Sequence, residues 1–213
     1  VARHLVFDLG NVLLAWDPLT VTLPPALAGR WDEASQCAAR EALFLGPGWQ
    51  AFDAGALPAE TLAAQCSEET ALPRALFTAL IEAMPASLVP VTPVLSFLSR
   101  VAAHHPCHLL SNIAGDTWRA VCQSYAFPRC FQSMTLSYAV GVNKPAERIY
   151  AHCFAAGAFA PGDAVFIDDR QENLAAGEAL GMAGLHLPSP ALADVAIARL
   201  ESWLAGRPLE QVS

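Results

Sequence analysis

The stretch Leu5-Val6-Phe7-Asp8-Leu9-Gly10-Asn11-Val12-Leu13-Leu14 decides how this chain folds. Its first residues form an apolar run typical of a buried strand, and Gly10 and Asn11 then indicate a turn. Asp8 therefore stands at the end of a buried strand, where an unpaired carboxylate costs free energy. Either Asp8 caps a following helix, or it acts as a nucleophile or a metal ligand.

Strand-like and helical runs alternate along most of the 213 residues. Strand-like runs lie at 4–9, 107–110, 133–136, 164–167 and 184–187. Helical periodicity is present at about 91–103, 116–125, 146–156 and 172–180, and the Ala-rich run 190–206 predicts a last covering helix. This alternation predicts an α/β fold in which helices cover both faces of a parallel sheet.

Residues 15–90 interrupt the alternation. They contain no convincing strand, but they contain helical segments at 33–45, 60–69 and 74–83, with breaks at Pro47-Gly48, Gly55, Pro58, Pro73 and Pro85. We therefore predict a core formed by 1–14 and 91–213 and a helical cap formed by 15–90. An insertion at this point lies over the carboxyl ends of the strands, where ligands bind in open parallel sheets.

Composition disfavours several classes of protein. The net charge is −8 and only 12 residues are Lys or Arg, which disfavours a nucleic-acid partner. No apolar window is long enough to predict a membrane span, and the N-terminal run, broken by Asp8, does not predict a signal peptide. The six cysteines have no zinc spacing and predict buried, reduced thiols in a cytoplasmic protein.

Polar groups follow the later strands or precede the later helices. They are Ser111-Asn112 after the second strand-like run, Lys144 within Gly141-Val142-Asn143-Lys144-Pro145, and Asp168-Asp169 with Asn173 after the fourth run. Because the ends of parallel strands lie at one edge of a sheet, we expect these groups to meet Asp8. Taken singly, Ser111, Asn112 or the acid pair would be helix caps, and Lys144 would be a solvated surface residue.

Taken together, these groups predict phosphoryl transfer. Adjacent acids raise each other's pKa unless a cation is near. Mg²⁺ prefers carboxylate oxygens and keeps positions open for phosphate. A lysine beside it would neutralise a phosphoryl oxygen or the nucleophile, and an aspartate can serve as that nucleophile. The predicted cofactor is therefore Mg²⁺.

Four motifs resemble those of the haloacid dehalogenase-like (HAD) hydrolase superfamily. They are Asp8-Leu9-Gly10-Asn11-Val12, Leu110-Ser111-Asn112, Lys144-Pro145-Ala146-Glu147-Arg148-Ile149-Tyr150, and Phe166-Ile167-Asp168-Asp169-Arg170-Gln171-Glu172-Asn173. They occur in the family's order and cover nearly the whole chain. The place of the cap is similar to the subfamily with small α-helical caps. That group includes sugar-phosphate phosphatases, the phosphatase domain of soluble epoxide hydrolase and L-2-haloacid dehalogenases.

The resemblance implies a Rossmann-like core with the strand of Asp8 at its centre, and a role for each matching residue. Asp8 would attack phosphorus and bind Mg²⁺, and Lys144 would steady Asp8 and the phosphate. Ser111 and the backbone of Asn112 would hold phosphoryl oxygens. Asp169 would be a direct metal ligand, Asp168 a ligand through water, and Asn173 a support for both.

Position 10 departs from the family's pattern. The usual phosphatase has a second acid two residues after the nucleophile, which protonates the leaving oxygen, whereas this chain has Gly10. The Gly10 carbonyl can still bind Mg²⁺. A general acid contributes about 10²–10⁴-fold in rate, so its absence predicts a steep dependence on the leaving group unless another group, such as Asp17 or a water, donates. A sugar 1-phosphate, with its better leaving oxygen, is a candidate substrate.

Two other functions stay open at this level: a 2-haloacid dehalogenase and a catalytically degenerate binding protein. The acid pair Asp168-Asp169 disfavours the dehalogenase, because displacement at carbon needs no metal. The predicted partner is a small phosphorylated metabolite, and the chain is expected to be a monomer or homodimer. In the cap, Trp16, Asp17, Trp49 and Phe52 are candidates for facing the site, with cap core as the favoured alternative for Trp49 and Phe52.

Overall fold

The computed structural model describes residues 3–209. Its strands are β1 His4–Phe7, β2 Leu14–Ala15, β3 Val89–Pro90, β4 Cys107–Ser111, β5 Ser133–Leu136, β6 Ala164–Asp168 and β7 Ala183–His186. Five of them form a parallel sheet with the order β5-β4-β1-β6-β7. The strand that leads to Asp8 is therefore central, as the resemblance implies.

Both faces of this sheet are buried. Leu5 and Phe7 of β1 belong to one apolar cluster and Val6, between them, to another, because successive side chains of a strand point to opposite faces. Every residue of β4 and β6 is buried. Burial on two faces explains the nearly continuous apolar runs in the sequence, and the predicted α/β fold is confirmed.

Five helices lie between β2 and β3. They are α1 Pro25–Ala28, α2 Glu33–Phe44, α3 Pro47–Asp53, α4 Ala59–Thr70 and α5 Arg74–Ala83. Strands β2 and β3 pair antiparallel, with Leu14 opposite Pro90 and Ala15 opposite Val89. The sequence predicted no strand here, because two residues are too few to show an apolar period. The division at 15 and 90 stays a prediction, and we call 15–90 the cap segment.

Helix α3 corrects the sequence analysis, which treated Pro47-Gly48 as a break. Pro47 is the first helical residue and Gly46 precedes it as the N-cap. Proline is tolerated there because the N–H that it lacks would have no partner in the helix. Trp49 and Phe52 of α3 are buried, and Asp53 is its last residue.

The remaining helices cover the sheet. They are α6 Thr92–Val101, α7 Gly115–Ser124, α8 Ser137–Val140, α9 Glu147–Gly157, α10 Gln171–Ala179 and α11 Ala193–Leu204. The predicted helices overlap five of these and differ only at their ends. Pro145 lies in the turn before α9, which begins at Glu147.

The six cysteines carry free thiols, as expected. Cys66, Cys107 and Cys153 are buried, but Cys37 and Cys122 are exposed, so the predicted burial is wrong for these two. Among residues 3–209, no helix has both the length and the apolar character needed to cross a membrane.

Candidate active site

The polar groups of three neighbouring strands meet at one edge of the sheet. Asp8 directly follows β1, Ser111 is the last residue of β4, and Asp168 is the last residue of β6. Strand β1 pairs with both of the others, so Phe7 lies beside Leu109 and Ile167. The carboxyl ends of these strands therefore bring the three side chains to the same edge.

Lys144 connects two of these carboxylates. Its Nζ lies 2.8 Å from Oδ1 of Asp8 and 2.7 Å from Oδ2 of Asp168. The lysine is 5% exposed, which excludes the solvated surface position. Burial alone would lower the pKa of Lys144, but the attraction of Asp168 and Asp8 raises it above its usual value. Lys144 is therefore a fixed cation beneath the end of β1.

Asp168 is held on every side. Its Oδ1 accepts hydrogen bonds from the backbone N–H of Arg170 at 2.8 Å and from Nδ2 of Asn173 at 3.0 Å. Nδ2 of Asn173 is also 3.1 Å from Oδ2. Tyr150 in turn donates its hydroxyl to the carbonyl of Asn173 at 2.7 Å. The adjacent acid differs, since half-buried Asp169 accepts from Nδ2 of Asn11 at 3.1 Å.

Asp8, Asp168 and Asp169 form a candidate cation site. Each offers an oxygen, and the three oxygens lie within 4.8 Å of one another. Burial raises the pKa of Asp8 to about 7; Lys144 opposes this rise, and Asp168 and Asp169 add to it. Burial also raises the pKa of Asp169. A divalent cation would favour the ionised carboxylates, so the donor set suits Mg²⁺.

The turn after Asp8 has its left-handed residue at Asn11 and not at Gly10. Asn11 has φ of 55°, and its Oδ1 accepts the backbone N–H of Trp16 at 3.0 Å. Gly10 has no positive φ, and a Cβ built on it meets no atom within 4 Å. The backbone therefore does not require glycine at position 10.

A cavity of about 370 Å³ opens between the cap segment and the edge of the sheet. The core side contributes Asp8, Gly10, Lys144 and Asp169, and the cap segment contributes Trp16, Phe44, Trp49 and Asp53. A smaller cavity of about 50 Å³ also has Gly10, Trp16, Trp49 and Asp53 in its wall. The other residues around it are mostly apolar: Leu9, Met84, Leu88, Ser111, Asn112, Ile113 and Thr117.

Comparisons with known proteins identify the fold. No family model matches the sequence. A predicted HAD-like family hydrolase from Porphyromonas gingivalis superimposes with a TM-score of 0.70 at 21% identity, over 94% of this chain and 98% of that one. A HAD family enzyme from Bacteroides thetaiotaomicron in complex with magnesium and inorganic phosphate gives 0.62 at 20% identity, over 87% and 94%. The fold is that of the HAD-like hydrolases.

Two further similarities come from proteins with different activities. The sesquiterpene phosphatase astK from Aspergillus oryzae is 23% identical over 185 residues, which are 85% of this chain and 88% of that protein. The L-2-haloacid dehalogenase from Xanthobacter autotrophicus, with chloropropionic acid covalently bound, gives a TM-score of 0.66 at 16% identity over 99% and 85% of the two chains. The HAD-like resemblance of the four motifs is thus confirmed at the level of the fold.

The structure gives a position for each of the site residues predicted from the four motifs. Asp8, Lys144, Asp168, Asp169 and Asn173 lie together, as described above. Ser111 is 1% exposed, and Asn112 is half-buried. Neither caps a helix, because the N-cap of α7 is Ala114.

The cap candidates separate into two pairs. Trp16 and Trp49 line both cavities, although Trp49 is also buried in the cap core. Phe52 is buried and lines neither cavity. Asp17 is exposed and caps the turn that follows it, since its Oδ1 accepts the N–H of Leu19 at 2.9 Å.

Asp53, the last residue of α3, was not predicted as a site residue from the sequence. It is half-buried and lies in the wall of both cavities. Burial raises its pKa to about 7, the N–H of Ala114 opposes this rise, and Asp8 adds to it. The signal in the sequence was an acid two turns after Pro47 at the end of an aromatic run, but without helix α3 nothing placed it near Asp8.

Proposed function

We propose that this protein is a Mg²⁺-dependent phosphatase that hydrolyses a small phosphorylated metabolite through an aspartyl-phosphate intermediate. The observation that carries the proposal is the position of Asp8 at the end of the central strand. There its Oδ1 pairs with the buried Lys144, and two more carboxylates lie within reach of the same cation. This arrangement combines a nucleophile, a fixed positive charge and a hard-ligand site.

Asp8, Asp169 and the carbonyl of Gly10 would hold Mg²⁺, with Asp168 acting through a water. The engagement of Asp168 with Lys144, Asn173 and Arg170 supports this division, because Asp169 keeps more free oxygen lone pairs. The bound cation would supply positive charge against a phosphoryl oxygen. All these donors are oxygens, as Mg²⁺ requires.

The chain's own residues account for the transfer. A carboxylate oxygen of Asp8 attacks phosphorus while the bond from phosphorus to the leaving oxygen breaks. Lys144 lowers the cost of ionising Asp8 and attracts the phosphoryl group. The hydroxyl of Ser111 and the backbone N–H of Asn112 would bind the other phosphoryl oxygens. Water then attacks the acyl phosphate and restores Asp8.

A phosphatase is favoured over a dehalogenase, although a haloacid dehalogenase is among the structures with this fold. Displacement of a halide at carbon would require neither the acid pair nor a cation. Here Asp168 and Asp169 each offer an oxygen within 4.8 Å of an oxygen of the nucleophile Asp8. A degenerate binding protein would have no reason to retain Asp8 and Lys144 as a buried pair, since such pairs are costly.

Two kinds of leaving group fit different observations. A sugar 1-phosphate follows from Gly10, because an anomeric oxygen departs more readily than a simple alkoxide. The phosphate ester of an apolar alcohol is favoured by the smaller cavity, whose wall includes Leu9, Met84 and Leu88, and is in line with the 23% identity to a sesquiterpene phosphatase. A panel containing glucose 1-phosphate and farnesyl phosphate separates them.

The proposal also includes the cellular location, the partners and the oligomeric state of the protein. Free thiols on six cysteines support a reducing, cytoplasmic location. The net charge of −8 argues against a nucleic-acid partner. We propose a monomer or homodimer that needs neither a membrane nor a nucleic acid.

Hydrolysis of 4-nitrophenyl phosphate with Mg²⁺ and with EDTA tests the proposal. This substrate has a good leaving group, so it depends little on a general acid. We expect turnover only with Mg²⁺ and none for Asp8→Asn. The exposed Asp116→Asn, which makes the same chemical change at a residue that lines neither cavity, is the control. Metal-independent turnover, or a substantial rate for Asp8→Asn, would contradict the proposal.

A further inference from the structure

The proposed phosphatase has no general acid at position 10, two residues after Asp8. When the bond from phosphorus to the leaving oxygen breaks, that oxygen takes the electron pair and needs a proton. Gly10 cannot supply one. A Cβ built on Gly10 meets no atom within 4 Å, and Gly10 lies in the wall of both cavities. The absent side chain would therefore extend into open space beside Asp8, and another group can reach the same space.

The cavity walls contain few groups that can release a proton. The titratable residues of the larger cavity are Asp8, Asp53, Lys144, Asp169 and Arg170. Among the residues lining the smaller cavity, Asp53 is the titratable one. Asp8 is the proposed nucleophile and Asp169 the proposed metal ligand, while Lys144 is committed to two carboxylates. Arginine stays charged in proteins, so Arg170 is a poor donor.

Hydrogen bonds also hold Asp53 beside the residues that follow Ser111 and Asn112, which are proposed to bind the phosphoryl oxygens. Its carbonyl accepts the hydroxyl of Ser137 at 2.6 Å, and the same Ser137 oxygen accepts the N–H of Ile113 at 2.8 Å. The N–H of Ala114 lies close enough to the Asp53 carboxyl group to oppose the rise of its pKa. Residues 113 and 114 directly follow Asn112. The end of α3 is thus fastened to the loop after β4, which limits how far Asp53 can move from the site.

We propose that Asp53, contributed by the cap segment, is the general acid that replaces the one absent at position 10; this inference rests on the proposed phosphatase function. Asp53 gives its proton to the departing oxygen, which leaves as an alcohol, as Asp8 becomes phosphorylated. In the second half, the Asp53 carboxylate takes a proton from the water that attacks phosphorus. Inorganic phosphate and the Asp8 carboxylate result, and Asp53 is protonated again.

The electrostatic surroundings suit this role. Burial and the neighbouring charge of Asp8 raise the pKa of Asp53 to about 7. A general acid works best when its pKa lies near the working pH. The sequence alone predicted a steep dependence of rate on the leaving group; with Asp53 as donor, the wild-type dependence is shallow and becomes steep only when Asp53 is replaced.

The test compares two substrates of similar size, 4-nitrophenyl phosphate and benzyl phosphate. The first releases a stabilised phenolate, whereas the second releases an alkoxide that needs a proton. For Asp53→Asn we expect kcat/KM for benzyl phosphate to fall by about 100-fold or more, and at least ten times further than for 4-nitrophenyl phosphate. Equal falls on the two substrates, or no fall, would overturn the inference.

Two further variants sharpen the experiment. In the Asp53→Asn background, Gly10→Asp restores a donor at the open position and should recover about tenfold or more on benzyl phosphate; no recovery in a folded double variant counts against the inference. Glu60→Gln makes a matched carboxylate-to-amide change at an exposed cap residue and should behave as wild type. Failure of the inference is distinct from failure of the phosphatase proposal, which the Mg²⁺ and Asp8→Asn results decide.

Discussion

The side chain of Asn112 and the backbone of Lys144 exchange two hydrogen bonds. Oδ1 of Asn112 accepts the N–H of Lys144 at 2.7 Å, and Nδ2 donates to its carbonyl at 3.1 Å. The amide thus pairs with the lysine as a neighbouring strand would. These two hydrogen bonds fix the backbone of Lys144, whose ammonium group is the buried cation. Because they occupy the Asn112 side chain, only the backbone of Asn112 can bind a phosphoryl oxygen.

Loss of this pairing should reduce turnover by misplacing Lys144. We expect Asn112→Ala to lower kcat/KM for 4-nitrophenyl phosphate by about 10–100-fold, the usual size for a supporting partner. Wild-type kcat/KM in Asn112→Ala would show that the pairing does not position the lysine.

The two acids of the fourth motif should respond differently to replacement. Asp168 pairs with Lys144 and Asn173 in a buried network, so Asp168→Asn should lower Tm without metal by about 5 °C or more. Asp169 has fewer protein contacts and is half-buried. Asp169→Asn should therefore change Tm little without metal but should abolish the rise in Tm that Mg²⁺ produces.

Thermal unfolding with Mg²⁺ and with EDTA measures both effects. The same loss of the Mg²⁺ response in the two variants, with equal Tm in EDTA, would remove the assignment of Asp169 as the direct ligand. The exposed Asp116→Asn serves as the control for the chemical change.

The sequence predicted the sheet and its edge well, because buried parallel strands leave a continuous apolar signal that ends at the functional residues. Asp8 and Asp168 follow such runs, and their convergence follows from strand direction alone. The cap segment was harder. Helix α3 begins with Pro47 and has Gly48 as its second residue, so local signals predicted a break. Asp53 was not predicted for this reason, since its importance depends on the hydrogen bonds through which Ser137 connects the end of α3 to Ile113 and on no local pattern.

The turn after Asp8 should tolerate a side chain at Gly10 but not a change at Asn11. Gly10 has ordinary φ and open space, so Gly10→Ala should keep or slightly raise Tm, since alanine restricts the unfolded chain. Asn11 has φ of 55° and bonds to Asp169 and Trp16. Asn11→Ala loses these bonds and strains the backbone, so Tm should fall by several degrees.

Asn11→Gly separates the two causes, because it keeps the positive φ without strain and loses only the hydrogen bonds. Its Tm should lie between those of wild type and Asn11→Ala. A fall in Gly10→Ala as large as that in Asn11→Ala would mean that position 10 needs glycine, and the rescue by Gly10→Asp would then have no structural basis.

Without metal, Asp8 should destabilise the folded protein at neutral pH. Burial raises its pKa to about 7 in the folded state, so the folded protein holds this proton more tightly than the unfolded chain does. As pH rises from about 4 to about 7, Asp8 ionises at a growing cost to the fold, and above pH 7 the cost is constant. The Asp8→Asn substitution removes this free-energy cost, because an amide does not ionise. In EDTA the variant should therefore exceed wild type in Tm at pH 8, by an amount on the order of a few degrees, and by less at pH 5.

Saturating Mg²⁺ should reverse this order, because the cation binds the ionised carboxylates of the wild type and stabilises its folded state by mass action. Unfolding curves for both proteins at pH 5, 6, 7 and 8, in EDTA and in Mg²⁺, measure the effect. A wild-type Tm above that of Asp8→Asn at pH 8 in EDTA would mean that Lys144 compensates fully for the burial of Asp8. In that case the fold would hold the nucleophile ionised without a metal.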